Sequence, residues 1–305
     1  MTVSDLSRRP SPIGWLGQQP YLLLSLTSLF WAGNIIVGRH LAGVVPPFTL
    51  SFVRWGGATL LILPLAWRHL AADWPAIRKQ LGLMVFLSLT GIGIYNTLAY
   101  YGLQYTQALN GLLLQSAGPL FVAVWSLILL GVRLSWMQAG GIAISLVGVL
   151  TILTQGHLEA LAAIQFNRGD IYFTAALAIF GIYSALSVKR PPIHNLSFLA
   201  FTVGVGALSL IPLVIWDALY GPPVVMTTSS LLSLAYVAIF PSTLGYLCYN
   251  RGVQLIGANR AAPFFHLIPV FGAAMAIAFL GERPELFHLV GFALVLSGVF
   301  IAARK

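Results

Sequence analysis

A few polar and aromatic side chains stand inside long apolar runs, and their types suit reversible capture of a small organic solute. Tyr95, Asn96, Gln115, Ser116, Tyr183, Tyr246 and His266 offer hydrogen-bonding groups where the surrounding sequence is largely apolar. An apolar wall with a few placed polar groups is the usual build of a small-molecule site. Tyrosine fits such a wall, because its ring packs, its hydroxyl bonds and its face can hold a cation. Each of these residues also has a plainer reading, as an interfacial anchor or an interhelical bond. Tyr100, Tyr101 and Asn250 fall near the ends of their runs, where that plainer reading is favoured. Trp31 and Asn34 are three apart, which stacks them on one helical face. Asn34 needs a partner there, either another helix or a solute.

Arg54 is the one charge well inside an apolar run. It lies about two turns from the end, so its stem can reach toward headgroups. Pairing with Glu282 is the alternative, and both readings make it structural or gating. Pro119 and Pro269 each remove a backbone hydrogen bond and free the carbonyl four residues earlier, those of Gln115 and Phe265. Such kinks are expected to shape a cavity, and a freed carbonyl can accept a bond from an ammonium group. No run holds Asp or Glu near its middle, and Asp170 sits at an end. Proton-driven carriers usually place a carboxylate deep in the membrane. Facilitated diffusion is therefore expected, with proton-coupled antiport through His266 as the alternative.

Other chemistries find no constellation. The histidines are scattered, and H-x-x-x-H, paired intramembrane carboxylates, G-x-S-x-G and a phosphate-binding loop are missing. Cys248 is the sole cysteine, which excludes an intrachain disulfide and a cysteine metal cage. Neither a charge ring nor a filter loop marks a channel. No catalytic residue, metal or cofactor is expected.

The elements that position these residues follow from composition. The 305 residues are 58% hydrophobic and 8% charged, against roughly 25% charged in soluble domains. Most of the exterior must therefore face lipid. A spanning helix needs about 20 mostly apolar residues. Ten stretches qualify, near 20–40, 48–67, 81–103, 107–130, 135–153, 170–188, 196–216, 230–250, 259–280 and 285–303. They are continuously apolar, unlike the short alternating strands of a barrel. The first run is long and lacks a cleavage site, so a removed signal peptide is not expected. The net charge of +9 comes from basic residues in short gaps, which read as topology signals rather than a nucleic-acid footprint. With the N-terminus inside, the inner segments hold Arg8, Arg9, Arg68, Arg78, Lys79, Arg133, Lys189, Arg190, Arg251, Arg260, Arg304 and Lys305. The outer segments hold only Arg39, Arg168 and Arg283. That bias supports ten spans with both termini cytoplasmic.

Shifted by 150 positions, the sequence matches itself. Gly102, Gln104, Ala108, Pro119, Gly131, Arg133, Gly141 and Gly148 fall on Gly252, Gln254, Ala258, Pro269, Gly281, Arg283, Gly291 and Gly298. The fold class is thus an all-α integral membrane protein of two five-helix halves, about 20–153 and 168–303. Five is odd, so the second half is inverted. Inverted repeats suit alternating access around a central site. Gly140, Gly141, Gly148, Gly291 and Gly298 read as small-residue faces for close helix packing.

Phe30-Trp31-Ala32-Gly33-Asn34, Pro46-Pro47 with Phe52-Val53-Arg54-Trp55, and Tyr101-Gly102-Leu103 through Pro119 to Gly148 occur in order. Gly169-Asp170 and residues 250–302, with Gly281-Glu282-Arg283, complete the set. Over nearly its whole length the chain resembles the drug/metabolite transporter superfamily, in its ten-helix branch with two EamA-type halves. One departure is Gly131-Val132-Arg133, where many relatives carry an acidic residue. The resemblance implies export or exchange of amino acids, drugs or other metabolites, and looks most like bacterial exporters of amino acids, including aromatic ones. It also implies a bacterial inner-membrane location, a first helix that lines the cavity, and an Arg54 away from the substrate. The expected partners are a small solute and membrane lipid, with the protein a monomer.

Overall fold

The computed structural model describes residues 12–106, 111, 114–157, 159, 167–280 and 285–304. Among the described residues the chain is helical, with no strand. Ten rods follow one another: α1 (Pro20–His40), α2 (Pro47–Lys79), α3 (Leu81–Tyr105), α4 (Gly118–Leu130), α5 (Trp136–Leu153), α6 (Arg168–Leu186), α7 (Asn195–Tyr220), α8 (Thr228–Ile256), α9 (258–280) and α10 (Leu286–Ala303). In lipid each backbone group must be bonded within its own segment, so apolar runs of this length become helices. Eight rods are long and apolar enough to cross a bilayer, and α4 is a shorter apolar helix of 13 residues. Local chemistry sets the ends. Ser135 and Gln138 form a reciprocal capping box at the start of α5, and Asn167 and Asp170 form another at α6. Asp170, whose side chain is buried, is therefore engaged at a helix end.

The second expected span ends too early. α2 continues 12 residues past position 67, to Lys79. Its 33 residues make a rod of about 50 Å, longer than the roughly 30 Å hydrocarbon core. The extra turns carry Arg68, Asp73, Arg78 and Lys79, which explains why hydropathy alone stops short of them.

The packing repeats when the halves are exchanged. α1 packs on α8 as α3 packs on α6, and α9 packs on α1 as α4 packs on α6. α2 pairs with α7 and α5 with α10, each with its own counterpart. Two residue pairs related by the 150-residue offset touch directly. Asn96 Nδ2 lies 3.4 Å from Tyr246 Oη, and His266 Nε2 lies 2.8 Å from the Ser116 carbonyl. Contact between equivalent positions places both pairs at the pseudo-twofold axis. The α5–α10 seam obeys the same symmetry: a Cβ on Gly141 would come within 2.5 Å of the Gly298 carbonyl, and one on Gly298 within 2.5 Å of Gly141's. Gly148 and Gly291 repeat this contact. Gly140 does not belong to the seam, because a Cβ there meets open space.

Two rods are irregular at their middles, and two more interruptions stand near the start of α9 and just before α4. α3 contains a π-helical turn at Leu89–Ile94, and α8 contains one at Ala238–Leu244. The two coincide under the offset. α9 has a 3₁₀ stretch at Ala262–His266, and Ser116–Ala117 form a turn before α4. These breaks revise the expected kinks. Pro119 lies in the first turn of α4, where its missing N–H has no partner to lose. Pro269 is the third residue of Leu267–Leu280, just past the 3₁₀ stretch. Each proline follows an interruption instead of bending a continuous helix. The carbonyls that receive side-chain donors are those of Ser116 and Phe264, bonded by His266 Nε2 at 2.8 Å and Ser28 Oγ at 2.7 Å.

Candidate functional site

A narrow cavity of about 20 Å³ lies between the halves, bounded by α1, α2, α3, α6, α8, α9 and Gln115. That is room for one water molecule. Trp31, Asn34, Tyr95, Asn96, Gln115 and Tyr246 line it, as does Arg54. Ile35, Ala99, Leu103, Phe173 and Ile268 supply the apolar wall.

Arg54 organises the polar side. It is 1% exposed, so it does not reach out to headgroups. Three neutral groups accept its hydrogen bonds: Nε donates to Ser242 Oγ, and Nη1 donates to Asn96 Oδ1 at 2.9 Å and to Tyr100 Oη at 2.8 Å. Tyr100 passes the chain on, donating to Asn34 Oδ1 at 2.6 Å. The guanidinium carbon also stands 4.6 Å from the Trp55 ring centre and 5.6 Å from that of Tyr100. Cation–π contacts of this kind contribute about 0.5–2 kcal/mol. The Asn96 amide is fixed in one sense, because its nitrogen donates to the carbonyls of Gly91 and Ile92 at 3.3 and 3.2 Å.

The π-turns make this geometry. Loosened helix turns leave carbonyls open, and such bulges frequently mark functional sites. Gly91 O accepts Tyr246 Oη at 2.7 Å, and Pro241 O accepts Trp31 Nε1 at 3.0 Å. Positions 91 and 241 are equivalent under the repeat, and each is bonded by a side chain of the opposite half. Cavity-lining Trp31 and Tyr246 are thereby tied across the interface.

An aromatic plug closes one end. Trp31 packs on Phe180, Tyr246, Tyr249 and Phe265 with ring centres 5.2–5.7 Å apart. Phe180, Tyr249 and Phe265 also pack on one another. Tyr21 Oη donates to the Ala303 carbonyl at 3.4 Å, so the start of α1 and the end of α10 share one side, here called the terminal side. Tyr249 lies past Tyr246 along α8, and Phe265 precedes Ile268 along α9, so the plug sits on the terminal side of the cavity.

Three expected wall residues stand elsewhere. Tyr183 is wholly buried behind Phe180 and donates to Asn250 Oδ1 at 2.6 Å. His266 bridges α9 to α5 and to the turn before α4, with Nδ1 2.5 Å from Ser145 Oγ and Nε2 2.8 Å from the Ser116 carbonyl. A carbonyl only accepts, so Nε2 carries the proton and Nδ1 accepts from Ser145. The tighter 3₁₀ stretch that ends at His266 sets its direction. Ser116 meets His266 through its backbone and is not on the cavity wall. Glu282, the suggested partner of Arg54, lies outside the described residues. Tyr100, set aside as a helix-end residue, is on the wall, because α3 runs on to Tyr105. Phe180 and Ser242 carried no signal beyond their neighbours.

A family model described as the EamA-like transporter family matches residues 18–154 and 167–304. Among curated relatives, the uncharacterized transporter YyaM of Bacillus subtilis is 30% identical over 93% of each chain. The probable terminal-alkyne amino-acid exporter of Streptantibioticus cattleyicolor is 26% identical over 92% of each chain. The biotin transporter of Escherichia coli is 23% identical, over 93% of this chain and 92% of its own. A solved crystal structure at 19% identity shares the fold with a TM-score of 0.74, covering 93% of this chain and 96% of that one.

Proposed function

The chain belongs to the EamA-like transporter family, and we propose that it carries amino acids out of the cell by alternating access around the Arg54 cavity. It is a multi-pass membrane protein of a transporter family, and its cargo class is a small molecule. The observation that carries the proposal is a contracted cavity at the pseudo-twofold axis, walled by polar groups of both halves. A room of about 20 Å³ is far below the roughly 300 Å³ of ordinary ligand pockets, so cargo entry requires the halves to part. The moving bodies are residues 20–153 and 168–303. An amino acid fits the wall chemistry, with hydrogen-bonding groups at Asn34, Tyr95 and Gln115 and aromatic faces at Trp31 and Tyr246. The Streptantibioticus relative, a probable amino-acid exporter, supports the same cargo class.

Transport is by facilitated diffusion. No described carboxylate lines the cavity, and His266 has both ring nitrogens engaged away from it. The protein works as a monomer in a bacterial inner membrane with both termini cytoplasmic. Purified protein in liposomes is expected to take up labelled neutral and aromatic amino acids saturably. Unlabelled solute inside should accelerate that uptake, and a pH gradient should leave it unchanged. Uptake that never saturates, or no uptake of any amino acid, would overturn the proposal.

A further inference from the structure

The charge of Arg54 is not balanced among the described residues. Asp73 accepts from His194 N, Glu159 lies 3.8 Å from His157, and Asp217 accepts from Thr49. Asp170 and Glu285 are engaged at the starts of α6 and α10. All of these lie outside the cavity wall. Burying a cation without a counter-charge is unfavourable, and an anion bound beside it lowers that cost. The neutral acceptors at Ser242, Asn96 and Tyr100 hold the guanidinium in place and leave its charge standing. The repeat reinforces the point. The position equivalent to Arg54 is Gly204, so the charge is no part of the scaffold shared by both halves.

We infer that Arg54 is the carboxylate-binding residue of the transport site, and that the protein selects solutes bearing a carboxylate and refuses purely cationic ones. The inference rests on the transport reading above and adds the headgroup chemistry. A guanidinium fork matches a carboxylate in geometry as well as charge. A solute carboxylate entering the cavity meets a positioned cation. An amine that lacks an acid meets a positive charge with no described carboxylate beside it, in a low-dielectric wall where like charges repel strongly. Tyr95 and Gln115, also on the wall, are left to bond the rest of the solute.

The test uses one side chain with different heads. Direct uptake into liposomes is measured for labelled phenylalanine, phenylpropionate, phenylpropionamide and phenethylamine, and for the corresponding leucine-derived series. The two solutes bearing a carboxylate in each series are expected to be carried, the cationic amine excluded, and the neutral amide carried weakly. In Arg54→Gln, affinity for the carboxylates should fall about 30-fold or more while the amide is unaffected. Uptake of amine and acid at equal rates by the native protein overturns the inference and leaves transport standing. So does an Arg54→Gln protein that keeps its preference for acids. The native panel decides the matter even if the variant does not fold. Uptake of nothing in either series defeats the transport reading itself, and this inference with it.

Discussion

Under the 150-residue offset His266 and Gln115 fall one position apart, one on each half, yet they divide into different roles. His266 satisfies the Ser116 carbonyl and the Ser145 hydroxyl, both buried. Replacing it with Ala removes both of these buried hydrogen bonds, at a cost of about 1–3 kcal/mol. The predicted result for His266→Ala is a lower melting temperature in detergent with KM unchanged. Gln115 faces the cavity, so Gln115→Ala should do the reverse, raising KM about 2–10-fold through one lost hydrogen bond while the melting temperature holds. Measuring melting and uptake on both variants checks the division, and a KM change in His266→Ala would return that residue to the cavity. Six of the nine proposed contact residues do line the wall, because a polar group in an apolar run must face something polar. Type alone does not say which way it faces. The direction of His266 depends on a 3₁₀ stretch, and Arg54 reaches Asn96 and Tyr100, 42 and 46 positions away. Such pairings have no local signal in the chain.

At the scale of elements, the α5–α10 seam and the two π-turns decide the behaviour. Backbone atoms of Gly141 and Ser145 stand 2.5 Å from where a Cβ on Gly298 would be. Neither can swing aside as a side chain can, so Gly298→Ala should destabilise the protein by about 1–3 kcal/mol through overpacking. Gly140→Ala meets open space and should be neutral or stabilising by about 0.5–1 kcal/mol, the usual gain of Ala over Gly in a helix. Thermal unfolding of the two variants checks this, and equal loss in both would remove the seam as the tight contact. The rods themselves were legible from hydropathy, and the glycine pairs of the seam from the 150-residue offset. The π-turns were not. Pro241 and Gly91 align under the offset, but Gly and Pro are each frequent in membrane helices, and the pair names no carbonyl as an acceptor.

For the whole molecule, the contacts α1–α8 and α3–α6 are equivalent by symmetry, and they cannot both stay closed if solute is to pass. Both bring the two halves together. The aromatic plug between α1, α6, α8 and α9 seals the terminal side in the present state, and α3 with Tyr100 and Leu103 forms the wall toward the other side. Ligand-shifted populations of two such states are all that a carrier requires. The direct test is a pair of spin-label distances in liposomes, on a background with Cys248 replaced. One pair spans the terminal ends of α1 and α8, and the other spans the opposite ends of α3 and α6. Adding phenylalanine to one side is expected to lengthen one distance while shortening the other. Distances that change together, or that stay fixed while solute still crosses, would contradict two opposed halves working around one cavity.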